Sequence, residues 1–405
     1  MKYAILFIAF LIGFANCTGQ TLDETKIRKH IKILASDSLQ GRNTGSEGEK
    51  MAASYIQSEF KKMKLVAKGD NKSYLQSFPF KSGMHGTGAE GTANNIIGFI
   101  DNKAANTIII GAHYDHLGLG NDGSSLDANP QGKIHNGADD NASGTAGVIE
   151  LARYFQNNKV KEKNNFLFIC FSGEELGLFG SKYFTENPTI DLNAVTYMIN
   201  MDMIGRLDPT TNSVAVSGTG TSPVWEPLLS KLSTDKLQIK TDSSGMGPSD
   251  HSSFYIKNIP ALHFFTGSHT DYHKPSDDFE KINYSGEVEV LNLIVKVIEG
   301  LEGEPKLAFL TTKNKSMTPR SFKVTLGIMP SYTSDAAGLK VDGVSDGKPA
   351  QLAGIQSGDI IISMGDFEIK GMQEYMDALT KFEKGQQTEV KVKRNGEILS
   401  FNVTF

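Results

Sequence analysis

Phe166-Leu-Phe-Ile-Cys-Phe171 runs without interruption into Ser172-Gly173-Glu174-Glu175-Leu-Gly177. An apolar run with no polar alternation describes a strand covered on both faces. Adjacent carboxylates directly after it put charge at the carboxyl end of a buried strand, where open α/β sheets bind ligands. Three further stretches share this plan. Thr107-Ile-Ile-Ile-Gly111 leads into Ala112-His113-Tyr-Asp115-His116. Val195-Thr-Tyr-Met-Ile199 leads into Asn200-Met201-Asp202-Met203-Ile-Gly205. Pro260-Ala-Leu-His-Phe-Phe265 precedes Asp271-Tyr272-His273-Lys274-Pro275.

Helical patterns sit between these runs, at Gly147 to Phe155 and Leu176 to Phe184. Upstream, Ile27, Ile31 and Leu34 recur at helical spacing, predicting a helix over 23–36. Met51, Tyr55, Ile56 and Phe60 predict a second after the Gly-rich turn Gly41 to Gly48, and Val288 to Leu301 a closing one. Alternating strands and helices argue for an α/β layer fold with a largely parallel sheet.

Residues 302–320 change character: Lys, Thr, Ser and Pro dominate around Thr311 to Pro319, which reads as a linker. Beyond it lies a small β-rich unit over 321–405. Strands are expected near Lys323–Ile328, Leu339–Val344, Asp359–Met364, Glu389–Lys393 and Ile398–Thr404, with one helix at Met372–Phe382. The other end of the chain differs again. Lys2 precedes an apolar run, Ala4 to Ala15, that closes on small and polar residues through Gly19. This is a secretory signal pattern over residues 1–19, too short to span a bilayer comfortably. It predicts an exported protein, periplasmic or extracellular. A lipid anchor on Cys17 is the rival reading, although Phe14-Ala15-Asn16 departs from the usual lipoprotein box. No other stretch reads as a transmembrane segment.

Composition narrows the functional classes. A length of 405 residues allows two or three domains. The net charge of −5 gives no sequence-wide case for nucleic acid binding. Two cysteines cannot build a disulfide framework or a Cys-rich zinc module.

The strand ends, with Gly137-Ala-Asp139-Asp140-Asn141-Ala-Ser143-Gly144, collect histidines and carboxylates but no thiol. Such a set suits Zn²⁺, with Mn²⁺ or Co²⁺ as substitutes. Clustered carboxylates repel one another unless cations neutralise them. Two divalent ions would balance Asp140, Glu175, Asp202 and a bound hydroxide. One carboxylate of the Glu174-Glu175 pair can hold metal while the other acts as a general base. The His113-x-Asp115 spacing lets Asp115 accept a hydrogen bond from the imidazole and fix its orientation. Each element alone is weak. Their joint occurrence, each at a strand end, is not.

These motifs resemble the co-catalytic di-zinc aminopeptidases of metallopeptidase clan MH over about residues 28–300. The carrying motifs are Leu34-Ala-Ser-Asp37 through Gly41-Arg42, Ala112-His113-Tyr-Asp115-His, Gly137 to Gly144, Gly173-Glu174-Glu175, Asn200-Met-Asp202-Met, Ser249-Asp250-His251 and Tyr272-His273-x-Pro275. The resemblance implies a three-layer αβα fold with a mostly parallel mixed sheet, over residues 20–301. It implies that Asp140 bridges two zinc ions, with His113 and Asp202 on one and Glu175 and His273 on the other. Glu174 is then the general base and Asp115 the orienting group, and a cis peptide follows Asp140. Tyr272 is a candidate hydrogen-bond donor to the developing oxyanion. Asp250 and His251 read as structural. Met203 is a candidate wall of an apolar pocket for the residue removed, and the long loop 116–136 a candidate edge of the substrate entrance.

The tail resembles a PDZ domain appended to bacterial proteases, through Leu326-Gly327-Ile328 and Pro349-Ala350-x-x-Ala353-Gly354-Ile-x-x-Gly358-Asp359. Its Leu326–Ile328 segment could pair with a peptide or protein ligand by strand addition. The whole implies a secreted exopeptidase acting on peptides with a free N-terminus. A carboxypeptidase, for which Arg206 would hold the substrate carboxylate, and a single-zinc glutaminyl cyclase are rivals on the same fold. A non-catalytic PDZ scaffold is a third.

Overall fold

The computed structural model describes residues 21–81, 88, 90–121, 124–312, 323–331, 334, 336–345 and 347–405. The signal segment, Cys17 and residues 313–320 of the expected linker lie outside the described residues. Helices α1 (Glu24–Leu34) and α2 (Glu47–Lys62) lead. Strands β1 (Val66–Ala67), β2 (Leu75–Lys81), β3 (Glu90–Ile100) and β4 (Asn106–His113) follow. The chain then alternates: α3 (Gly144–Asn157), β5 (Asn164–Phe171), α4 (Phe179–Glu186), β6 (Val195–Met201), β7 (Ser213–Ser217), α5 (Trp225–Leu232), β8 (Gln238–Asp242), α6 (His251–Ile256), β9 (Ala261–Phe265) and α7 (Tyr284–Gly300).

The strands form one mixed sheet in the order β1-β3-β5-β4-β6-β9-β7-β8, with β2 on β3. Its centre, β5-β4-β6-β9, is parallel throughout. Every residue of β5 and β6 is buried, which explains their unbroken apolar runs. Alternate side chains serve opposite faces. Phe166, Phe168 and Cys170 pack with α1, α2, α3 and α7, whereas Leu167, Ile169 and Phe171 pack with α4 and α6. This is the expected three-layer αβα arrangement. Cys170 is a free, fully buried thiol, and burial pushes its pKa up.

Helix starts are chemically marked. Asp23 accepts from the N–H groups of Thr25 and Lys26, Ser46 from Glu49 and Asn283 from Gly286. α4 starts at Phe179 rather than Leu176, because Gly173 to Leu178 are taken up by the turn that displays Glu174 and Glu175.

The small domain has its own core, including Leu326, Val341, Ile361, Val390 and Val403. It comprises β10 (Ile328–Pro330), β11 (Leu339–Val344), α8 (Pro349–Ala353), β12 (Ile360–Met364), β13 (Phe367–Glu368), α9 (Met372–Leu379), β14 (Gln387–Arg394) and β15 (Glu397–Thr404). All pairings are antiparallel, in the order β10-β11-β12-β14-β15 with β13 on β12. The strand expected at Lys323–Ile328 forms at Ile328–Pro330 instead. The preceding residues loop back: Leu326 O accepts from Ala350 N, and Gly327, at φ 75°, accepts from Ser345 N.

Candidate metal centre

Parallel packing of β5, β4, β6 and β9 gathers their carboxyl ends along one rim. His113 is the last residue of β4. Glu174 and Glu175 follow β5 on a turn closed by the N–H groups of Gly177 and Leu178, which donate to Glu174 O at 2.8 and 2.9 Å. Asp202 follows β6, its N–H held by Phe264 O at 3.1 Å.

Asp140 arrives from the turn before α3. The Asp277 carboxylate accepts from the N–H groups of Asp139 at 2.9 Å and Asp140 at 3.1 Å. The Asp140–Asn141 peptide is cis. Asn141 Oδ1 accepts from Gly144 N and Met203 N, and Nδ2 donates to Met201 O, tying this turn to the end of β6. Beneath, the fully buried Arg42 donates to the carbonyls of Tyr114, Leu34, Asn136 and Gly137. Asp277 and Arg42 were not assigned roles from the sequence, although Gly41-Arg42 belongs to the quoted motifs.

The five expected ligands converge. His113 Nε2 is 3.4 Å from Asp140 Oδ1 and 3.4 Å from Asp202 Oδ1. His273 Nε2 is 3.2 Å from Asp140 Oδ2 and 3.2 Å from Glu175 Oε2. Each Asp140 oxygen thus faces a different histidine. Glu174 Oε2 lies 4.0 Å from His113 Nε2.

One neighbour was not foreseen. His116 Nδ1 is 2.8 Å from Glu175 Oε1 and 3.9 Å from Asp140 Oδ2, and its Nε2 has no hydrogen-bond partner among the described residues. His113, Asp140 and Asp202 offer ligand atoms within 4.8 Å of one another, as do His116, Asp140 and Glu175. His273 stands 3.2 Å from an oxygen of each of this cluster's carboxylates, nearer to Asp140 than His116 is but farther from Glu175, so two histidines compete there. The only signal for His116 was its place three residues after His113. The donor set, nitrogen and carboxylate oxygen without thiol, buried and mutually repelling, fits divalent cations at both clusters.

Electrostatics follow from crowding. Burial pushes Glu174 well above the usual carboxylate range; His113 opposes this, while Glu175 and Asp202 add to it. Burial works against charge on His113, but Asp202 and Glu174 outweigh it and hold the imidazole well above its usual value. Burial would also raise Asp202, yet His113 draws it below the ordinary range. Asp250, buried nearby, is pushed up to about 7 by burial. It and His251 fall in neither ligand cluster.

The remaining expectations divide. Asp115 Oδ1 stands 3.6 Å from His113 Nδ1, beyond hydrogen-bond distance. Its carboxylate is engaged elsewhere, by the Thr44 hydroxyl at 2.9 Å and Glu174 N–H at 3.2 Å, and the nearer oxygen to Nδ1 is Asp115 O at 3.3 Å. Asp115 therefore positions the Glu174 turn as much as the imidazole. The Tyr272 ring stacks on His273 at 3.9 Å between centroids. The loop 116–136 clamps the same histidine: Ser124 O accepts from His273 Nδ1, and Leu126 N–H and the Ser125 hydroxyl donate to His273 O. Leu126 and Met203 line the cleft above the carboxylates, a cavity of about 540 Å³. Arg206 does not. It bonds Asp271 at 3.3 Å on the border of a separate 820 Å³ cavity that contains none of the clustered carboxylates.

Comparison with known proteins places these features. Residues 95–298 match Peptidase family M28, and residues 324–405 match the PDZ domain. Leucine aminopeptidase 2 of Arthroderma otae is 30% identical over 186 residues, which are 43% of this chain and 36% of that protein. The match thus spans about a third of that relative's length. The crystal structure of Legionella pneumophila LapA aminopeptidase superposes with a TM-score of 0.53 at 25% identity, covering 70% of this chain and 72% of that one. Glutaminyl cyclase of Bacteroides thetaiotaomicron, at 16% identity and a TM-score of 0.55, shares the fold over 69% of this chain and 98% of its own.

Proposed function

The chain belongs to Peptidase family M28, and from that premise we propose that it is an exported zinc aminopeptidase. It removes N-terminal residues, apolar ones by preference, from peptides with a free amino end. Residues 1–19 serve as the export signal, 20–301 as the peptidase domain, 302–320 as the linker and 321–405 as the PDZ domain. Among the described residues no helix is long and apolar enough to cross a membrane. The observation that carries the reading is the position of Asp140, with one oxygen toward each histidine.

His113, Asp140 and Asp202 would hold one ion, and Asp140, Glu175 and His273 the other. When bound, such a pair supplies a water of lowered pKa and polarises the scissile carbonyl. Glu174, its affinity for a proton raised by burial, takes the proton from the attacking water and delivers it to the leaving amine. Tyr272, in the cleft wall, donates to the developing oxyanion. Asp115 orients the Glu174 turn through its bond to the Glu174 N–H. Met203 borders the apolar pocket for the leaving residue.

The test uses one peptide, free or acetylated at its N-terminus, with and without chelator, read by mass spectrometry. Stepwise, chelator-sensitive loss from the free peptide alone supports the proposal. C-terminal trimming, or loss of ammonia from an N-terminal Gln peptide, would replace it with a different activity on the same fold. The Glu174→Gln variant should retain metal and lose roughly a hundredfold or more in kcat. Unchanged turnover would remove Glu174 as the base.

A further inference from the structure

The cleft over the candidate metal centre is closed on its far side by the small domain. Ile328, Met329 and Pro330 of β10 all line it, together with Gly327 and Lys348. Successive side chains of a strand point to opposite faces. Three consecutive lining residues therefore mean that β10 turns its edge to the cleft, and β10 is the outermost strand of its sheet.

The two domains contribute different charges to this cavity. The peptidase domain contributes Asp140, Glu174, Glu175 and Asp202 to its lining. Apolar residues of both domains, Phe265 of β9 with Ile328 and Met329, line it as well. The lone lysine of the lining, Lys348, sits on the small-domain side, exposed, with no ion-pair partner among the described residues. Its stem rests on Gly327: a Cβ added at Gly327 would lie 2.2 Å from Lys348 Cβ. Gly327 at φ 75° thus gives Lys348 its seat.

We infer that the small domain forms one wall of the substrate cleft, and that Lys348 receives the C-terminal carboxylate of a short peptide whose amino end lies at the metal centre. This rests on the aminopeptidase reading above and names its substrate class. A cavity of about 540 Å³ is on the scale of a small-molecule site and matches a few residues in size. A short peptide is itself bipolar: an α-ammonium at one end, an α-carboxylate at the other. The peptidase side of the lining offers carboxylates to the first, and the small-domain side offers the ammonium of Lys348 to the second. Lys348 is a specificity residue that touches substrate away from the reacting atoms.

The test compares the tripeptide Leu-Ala-Ala as free acid and as C-terminal amide, using the full chain. The free acid should be cleaved about fivefold faster in kcat/KM, the effect of one partly solvated ion pair. Lys348→Gln should erase that difference by raising KM for the acid while leaving the amide unchanged, and Lys348→Arg should restore it. A peptide of about ten residues with the same amino end should be a poor substrate. Equal rates for acid and amide in the unaltered protein, equal losses for both in Lys348→Gln, or good turnover of the long peptide would each overturn the inference. Calorimetric binding of the acid and the amide separates the two layers. A Lys348-dependent preference without turnover would discard the aminopeptidase reading and keep the cleft assignment. The absence of any binding preference would discard the assignment.

Discussion

The two halves of the candidate metal centre are held in different ways. His113 ends β4 and Asp202 follows β6, so this half hangs directly on two buried central strands of the sheet. The other half is held by loops. Glu175 sits on a turn, and His273, at φ 54°, lies in a bend clamped by the loop through Ser124, Ser125 and Leu126. It also has a second histidine, His116, against the same glutamate. Strands fix ligand positions through a shared ladder, whereas loops fix them through a few individual hydrogen bonds. The loop-held half should be the weaker and more adjustable one.

Asp140 serves both halves, so its loss is expected to have the largest effect. Asp140→Ala should strip both ions and lower kcat/KM by at least about a thousandfold, with metal content read by mass spectrometry. Retention of two ions per chain would mean the halves are independent. Next come the single-sided variants. His113→Ala should abolish activity and leave one ion on Glu175 and His273, whereas His273→Ala should leave the strand-held ion in place. If His273→Ala lost both ions and His113→Ala neither, the ranking would be reversed. A smaller effect is expected at His116. His116→Gln should weaken the second ion about ten- to a hundredfold in chelator titration while the first is unaffected. Equal weakening of both would show that His116 supports the whole floor.

The smallest effect concerns the scaffold common to both halves. His30 of α1 is buried against the Tyr55 hydroxyl, and burial depresses its pKa from 6.5 to about 4. Between these values the unfolded chain binds more protons than the folded one, so stability is lost as pH falls through that window. A Tm series from pH 7 to 4 should fall less steeply in His30→Gln. An unchanged slope would place the acid sensitivity elsewhere.

Much of this arrangement was legible in the sequence, for a definite reason. Strands buried on both faces need unbroken apolar runs, and the polar residues that follow them stand out. His113, Glu174, Glu175, Asp202 and His273 were found that way. The outer strands were missed because nothing forces their composition. β8, Gln238–Asp242, is half-exposed and reads as a loop. β2 alternates cleanly, but Pro79 disguises it, being tolerated only because β2 lies at an edge. His116 and Asp277 act through contacts with Glu175 and Asp140 that lie 59 and 137 residues away in the chain. Local pattern carries no trace of such distance. The reach of Lys348 toward the cleft depends on how two separately folded cores meet, and no periodicity encodes that.

The thiol of Cys170 also has a practical meaning. It lies inside β5, between β3 and β4, four residues before Glu174. A reagent can reach it only when the middle of the sheet opens. The protein therefore carries a built-in gauge of its own breathing, at the strand from which the two glutamates hang. Ions that bind only the closed state slow that opening according to their concentration and affinity. The rate of thiol capture then becomes a clock for metal occupancy that runs without any substrate.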